Sequence, residues 1–243
     1  MGAHWAEQLK ERNLARLLKR TQQRAETSAA ITGLPPGIAN PRVAAQVFES
    51  AQFADQEVVA DYLSGVLASS RDPDGKNDGG VAWTSVIARL SSDQLRLHYA
   101  IYASIRKLVL RDPPDEITAL HGQAVVLSLR EIWEFIGDDG KGFGDAIDGL
   151  MREGLISDFY TYGTRSEMYA EELQHNHVDF DYSHILRLGI SVHGIRLFHW
   201  GNGAGALDPS AFKDPTVPMS PPGHILDPVP AAFADKILRR RGM

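Results

Sequence analysis

The chain contains no cysteine among its 243 residues. Disulfide scaffolds, thiolate zinc sites, iron–sulfur clusters and cysteine nucleophiles are therefore excluded. Long apolar runs are also absent, because nowhere do 18 apolar residues follow one another, and this argues against a transmembrane helix. The first 30 residues lack the apolar stretch and small-residue cleavage site of a secretory signal, so we expect a cytoplasmic protein.

Basic residues are in the minority, with 25 Lys and Arg against 31 Asp and Glu and a formal net charge of -6. This balance disfavours a protein that coats nucleic acid over its whole surface, although it leaves a local basic patch open. Hydrophobic residues make up 43% of the chain, which is enough for a globular core. The length allows one large domain or two small ones.

Residues 1–72 predict an N-terminal helical region. Neither proline nor glycine occurs from Ala3 through Thr32, which favours a long first helix. Asn40 followed by Pro41 has the cap-and-first-turn pattern that begins a second helix. Residues 73–80 then form a polar loop with no apolar side chain to pack, and this loop is the best internal hinge or domain boundary.

The order of elements after the loop predicts a winged-helix-turn-helix-like α+β core over residues 81–203. Residues 92–200 suggest a helix, a short strand, two helices, a strand entry at Leu155, an irregular excursion, a strand at 186–190 and a last helix. Residues 124–127 fit either a buried strand or a continued helix. Two capping boxes, Ser91 with Gln94 and Ser128 with Glu131, predict where two of the helices begin. The fold class that we predict is mainly α.

The C-terminal segment, residues 204–243, has a different composition. Seven of the 13 prolines lie between Pro209 and Pro230, which indicates a Pro-rich arm that is either docked or flexible. Residues 231–241 predict a short closing helix. The domain organisation is therefore a helical region, a polar loop, a winged-helix-like domain and a C-terminal arm.

The helix at the recognition position of this arrangement, residues 143–153, is acidic. Asp145, Asp148 and Glu153 outnumber Arg152 on its polar face, whereas a major-groove helix presents Arg, Lys, Asn or Gln to bases and phosphates. Carboxylates facing phosphate forfeit the counterion release that drives such binding. We therefore expect a scaffolding role for the winged fold and no DNA reading by this helix.

Four arginines lie along the first predicted helix at intervals of four residues, and we call them the arginine ladder: Arg12, Arg16, Arg20 and Arg24. Like charges at this spacing destabilise an isolated helix by roughly 0.2–0.5 kcal/mol per pair, so the ladder gains from an acidic partner. That partner is either an external anion such as RNA or lipid phosphate, or the acidic remainder of the same chain, including Glu57 and Asp61. A solvated or internally paired face is the commoner outcome.

The sequence HNHVDFDY at residues 175–182 is the sharpest polar cluster. In an extended strand His175, His177, Asp179 and Asp181 share one face, and such side chains can bind a divalent cation. Residues two apart on a strand are separated by about 6–7 Å, so all four cannot reach one ion. His175 and His177 remain weak metal candidates, and the wet face of an amphipathic strand is the simpler interpretation.

Enzymatic activity is the least supported class. The chain contains no Gly-rich phosphate loop, no serine nucleophile elbow and no metalloprotease helix, and we expect no cofactor. His98 and His121 lie in apolar stretches and are expected to be hydrogen-bonded core residues. No catalytic residue is therefore assigned.

Four segments together resemble the abortive infection alpha (Abi-alpha) family of bacterial proteins. They are LPPGI at residues 34–38, DYLSGVLASS at 61–70, VIARLSSDQL at 86–95 and LMREGLI at 150–156. The resemblance extends over about residues 34–200. It departs from the family pattern at Tyr62-Leu63, where the family has Trp-Ala, and at Gln94-Leu95, where the family favours Asp-Ala.

The resemblance implies a role in phage defence and carries over no catalytic residue. The leading hypothesis is a cytoplasmic, non-enzymatic sensor, toxin component or partner-binding module, with a protein partner or self-association. The alternative is a nucleic-acid-binding regulator that uses the winged helix or the arginine ladder.

Overall fold

Helices dominate the part of the chain that the computed structural model describes, namely residues 2–33, 35–52, 54, 56–137, 140–164, 183–220 and 229–233. The α-helices within these ranges are α1 (Gly2–Thr32), α2 (Pro41–Ala51), α3 (Glu57–Ser69), α4 (Gly80–Arg89), α5 (Ser92–Arg111), α6 (Leu129–Ile136), α7 (Phe143–Arg152) and α8 (Val192–Gly201). The strands are β1 (Ile38–Ala39), β2 (Arg71–Asp72), β3 (Ala124–Ser128), β4 (Ile156–Thr164), β5 (His184–Ile190) and β6 (Ala231–Phe233). The prediction of a mainly helical fold is confirmed.

Local capping chemistry determines where several helices begin. The Asn40 side chain accepts the backbone N–H groups of Arg42 and Val43 at the start of α2. The Ser91–Gln94 capping box is complete, because the Gln94 N–H donates to Ser91 Oγ at 3.1 Å and the Ser91 N–H donates to Gln94 Oε1 at 2.8 Å. These predicted helix starts are confirmed.

The described chain divides into two compact units. The first contains residues 1–95 and 196–226, and the second contains residues 96–195 and 227–243. This grouping differs from the predicted boundaries because the polar loop, residues 73–80, lies inside the first unit. Helix α4 also belongs to this unit, where it packs on α2 and α3, and Val43 and Val66 leave Gly80 no room for a side chain.

The first unit is built on α1, which packs along α3. Leu17 and Leu63 are fully buried in this unit, and Gly65 of α3 lies so close to the Gly201 carbonyl that a Cβ would meet it at 1.9 Å. Downstream of α8, a 3-10 helix (Pro209–Lys213) buries Phe212 edge-on against Phe198, with ring centroids 6.0 Å apart. No helix in the described ranges is long and apolar enough to cross a membrane.

The second unit contains a four-stranded antiparallel sheet with the strand order β4-β5-β3-β6. Ile156 pairs with Ile190 and Val126 pairs with Arg187, so β5 lies in the middle of the three longer strands. Helix α7 ends at a left-handed Gly154, and the N–H of Leu155 then donates to the Leu150 carbonyl. The predicted pairing of residues 186–190 near Leu155-Ile156 is confirmed.

Four expectations for this unit need correction or completion. Residues 124–127 form a strand, which resolves the open choice between strand and helix. Residues 231–233 are a strand and not the start of a helix, because they pair with β3. The chain after Leu155-Ile156 continues as a nine-residue strand rather than becoming irregular at once. His121 is exposed beyond a 3-10 helix, whereas His98 is buried as expected.

Candidate functional site

The apolar side of helix α7 is buried in the second unit, and this orientation determines which of its residues face solvent. Phe143, Ile147 and Leu150 are 0–1% exposed, as the spacing predicts. The opposite side of the helix carries exposed Asp145 and Asp148, one helical turn apart. The acidic character expected for this helix is therefore presented outward.

Two tyrosines of β4 lie beside this helix. Tyr160 and Tyr162 pair with Leu188 and Leu186 of β5, so both side chains lie on the same face of the sheet. Their rings are stacked, with centroids 6.2 Å apart and planes 8° apart. The Tyr162 ring also meets Phe143 of α7 edge-on at 5.0 Å. This contact places Tyr162 beside the first turn of α7.

A hydrogen bond joins the tyrosines to the acidic side of α7. The Tyr160 hydroxyl donates to Asp148 Oδ1, and this bond raises the pKa of Tyr160 to about 12, because the neutral phenol donates to a carboxylate. Asp148 is thereby held in one orientation. Its remaining carboxylate lone pairs stay open to a further donor.

We define the acidic–aromatic surface as Asp145, Asp148, Met151, Tyr160 and Tyr162. Met151 and Tyr162 are 36% and 42% exposed, so both residues are accessible to a binding partner. The surface offers two carboxylates, one of them oriented, next to accessible ring edges and faces. Carboxylates beside exposed aromatic rings are groups to which a cation can bind.

Sequence reasoning anticipated the acidic helix but missed the tyrosines. The signal was present as the run Phe159-Tyr160-Thr161-Tyr162, whose aromatic residues are typical of a strand. The missing information is the register, because only the pairing with β5 shows that Tyr160 and Tyr162 face α7. Phe159 does not join them and lies under the Arg187 guanidinium, 6.0 Å from its ring centroid.

The arginine ladder is largely engaged with its own unit. Arg20 Nη1 lies 2.9 Å from Asp61 Oδ1, and Arg20 Nη2 lies 3.5 Å from Glu57 Oε1. Arg16 donates to the Ala54 carbonyl at 2.8 Å, and Arg24 is 5% exposed. Arg12 is the only one of the four that is exposed to solvent. For Arg20, the expected alternative of pairing with the acidic remainder of the chain is the one observed.

The weak metal candidates His175 and His177 lie outside the residues that the structure describes. Within the described ranges, no group of three or more His, Asp or Glu side chains could hold a metal ion. The expectation that the two histidines hold no metal therefore stays a prediction to be measured.

A buried polar cluster in the second unit has a structural role. The Tyr102 hydroxyl donates to the Leu155 carbonyl and accepts the Ser191 N–H at 3.2 Å, and His98 Nε2 lies 3.1 Å from the Gly194 carbonyl. Burial lowers the pKa of His98 to about 3 and raises that of Tyr102 above its usual range. Both groups are therefore neutral near pH 7 and inaccessible to a substrate.

Comparison with protein-family models, with curated proteins and with solved structures finds no match to this chain.

Proposed function

We propose that this protein is a non-enzymatic, partner-binding component of bacterial phage defence, in which a winged-helix module in the second unit binds another protein. The defence setting comes from the resemblance of residues 34–200 to the abortive infection alpha family. The mode of action comes from the chemistry of the surface on α7 and β4.

The winged-helix interpretation is supported by element order and strand pairing. The elements follow one another along the chain in the order α5, β3, α6, α7, β4 and β5. In the sheet, β5 pairs with β3 on one side and with β4 on the other. A helix-turn-helix followed by a two-stranded wing has this arrangement. In that arrangement α7 occupies the recognition position, and β6, from the predicted Pro-rich arm, adds a strand beside β3.

The observation that carries the proposal is the outward face of α7. Asp145 and Asp148 stand where a DNA-reading helix needs cations, and Tyr160 fixes Asp148 in this position. A protein surface of opposite charge fits this face better than a phosphate backbone. The arginine ladder adds little to a nucleic-acid role, because Arg20 already pairs with Glu57 and Asp61.

A plating assay tests the biological setting. Cells that express the protein are challenged with a panel of phages and compared with cells that carry an empty vector. We expect fewer plaques with the protein, and the Asp145→Asn/Asp148→Asn variant is expected to lose this protection while its expression and thermal midpoint are retained. Equal plaque numbers for all phages, with and without the protein, would contradict a defence role.

A gel-shift assay with RNA and duplex DNA across a salt series tests the alternative function. A nucleic-acid regulator would bind with a steep salt dependence that is reduced when Arg12, Arg16, Arg20 and Arg24 are replaced. We expect no such salt-dependent shift for the wild-type protein. A shift that the fourfold variant abolishes, with the fold retained, would favour the regulator instead.

A further inference from the structure

We infer that the partner of the acidic–aromatic surface is an arginine-bearing segment of another protein. This inference rests on the proposed function, and it names the chemistry of the partner. It is carried by the way in which two carboxylates and two aromatic rings are brought to one place by α7 and β4.

The surface carries two negative charges on one side of α7. Asp145 and Asp148 are three residues apart on one helix, which places neighbouring carboxylates about 5–6 Å apart at Cβ. Cationic side chains spaced along a peptide can therefore pair with both carboxylates. The net charge of -6 for the whole chain also favours the approach of cationic segments.

The carboxylate of Asp148 is also pre-organised for binding. The Tyr160 hydroxyl bond holds Asp148 before any partner arrives, so less side-chain entropy is lost when a cation binds. Asp148 Oδ1 accepts from Tyr160, and the other oxygen remains able to accept an N–H from a guanidinium.

The aromatic rings select arginine over lysine. The Tyr162 residue is 42% exposed, and its ring lies parallel to that of Tyr160, whose hydroxyl bonds to Asp148. A planar guanidinium can hydrogen-bond to a carboxylate and stack on an adjacent ring, whereas an ammonium group acts as a hydrated point charge. The exposed Met151 side chain offers an apolar contact for the methylene stem of the arginine.

Two peptides labelled with fluorescein, one with six Arg-Ser repeats and one with six Lys-Ser repeats, test this inference by fluorescence anisotropy with the full-length protein. We expect the Arg-Ser peptide to bind more tightly than the Lys-Ser peptide at low salt. Asp145→Asn/Asp148→Asn should weaken Arg-Ser binding by at least about tenfold, because close charge pairs couple strongly across interfaces.

A matched control distinguishes the effect of the acidic–aromatic surface on peptide binding from the effect of the protein's net negative charge. Glu116→Gln/Glu134→Gln also neutralises two exposed carboxylates of the second unit, and it should change Arg-Ser binding by less than about twofold. Tyr162→Leu keeps apolar bulk but removes the stacking face, so it should reduce the preference for Arg-Ser over Lys-Ser. Circular dichroism and the thermal midpoint establish that each variant is folded.

Three outcomes would overturn the inference: equal loss of binding in the two double variants, no preference for arginine, or no binding of either peptide at low salt. These outcomes are independent of phage plating. If the protein gives no protection but discriminates the peptides as expected, the proposed function fails and the inference about the surface stands.

Discussion

His98 and Tyr102 of α5 bind the chain where β4 begins and where β5 ends. Tyr102 bonds to Leu155 and Ser191, and His98 bonds to Gly194, so one helix holds the end of the β4–β5 pair at which Ile156 pairs with Ile190. These bonds lie in a fully buried environment, where an unsatisfied backbone group costs about 1–3 kcal/mol. At the residue scale, stability therefore depends on a small polar cluster as well as on apolar packing.

Gly194→Ala is expected to destabilise the protein by about 1–3 kcal/mol, as overpacking in a tight core does. A Cβ at Gly194 would stand 2.1 Å from both the Leu155 carbonyl oxygen and the Tyr102 hydroxyl. Urea unfolding followed by circular dichroism measures the loss. The neighbouring exposed variant His193→Ala serves as the control, and equal stability of the two variants would show that α8 tolerates a side chain at Gly194.

His98 predicts a loss of stability on acidification. Its folded-state pKa is about 3, below the 6.5 of an ordinary histidine, so between these values the unfolded chain binds a proton that the folded chain does not. Stability is therefore unaffected by His98 above pH 6.5 and falls as the pH is lowered from there towards 3, by at most about 1.4 kcal/mol per pH unit.

Urea unfolding at pH 7.5, 6.0 and 5.0 measures this dependence. His98→Gln removes the titrating group and keeps a hydrogen-bonding side chain, so its stability should fall less steeply with acid than that of the wild type. The exposed His121→Gln should keep the wild-type slope. Parallel slopes for the wild type and His98→Gln would contradict a neutral, buried His98.

At the scale of elements, arginines at equivalent positions of the arginine ladder have different environments. Arg20 and Asp61 are only 12% and 10% exposed at their side chains, and their ion pair joins α1 to α3. Arg12, two helical turns earlier, is exposed. The i, i+4 spacing alone cannot distinguish these positions, because the distinction comes from where α3 lies against α1.

Arg20→Ala is expected to lower the free energy of unfolding by about 2 kcal/mol, because it leaves a mostly buried carboxylate without this partner. Arg12→Ala should change it by less than about 0.5 kcal/mol, as exposed substitutions usually do. Chemical denaturation of both variants provides the comparison. If Arg12→Ala proves the more damaging, the assignment of Arg20 as the contact between α1 and α3 is wrong.

At the scale of the whole molecule, the acidic net charge of -6 and the absence of cysteine shape what the protein can bind. We expect elemental analysis of the purified protein to find no stoichiometric zinc or manganese, because in the extended strand that the sequence pattern predicts His175, His177 and the two following aspartates would be too far apart to close on a single ion.

The double variant His175→Ala/His177→Ala accompanies this measurement. It should leave phage protection unchanged and should have the same metal content as the wild type. Stoichiometric metal in the wild type that the double variant loses would make these histidines ligands, and it would reopen the enzymatic alternative.

Local signals in the sequence determined the helix starts and the acidic character of α7. The caps at Asn40 and Ser91 depend on hydrogen bonds within a few residues, so short-range chemistry is enough to predict them. The burial of Ile147 and Leu150 follows from helical periodicity in the same way.

The tertiary structure alone decided the features that depend on pairing between distant segments. Residues 231–233 become a strand because β3 offers an open edge, and local propensity does not encode that partner. The register of β4 against β5 brings Tyr160 to Asp148, across 12 residues of chain, and the packing of α3 on α1 selects Arg20 for an ion pair. In each case the deciding interaction joins residues that the sequence separates.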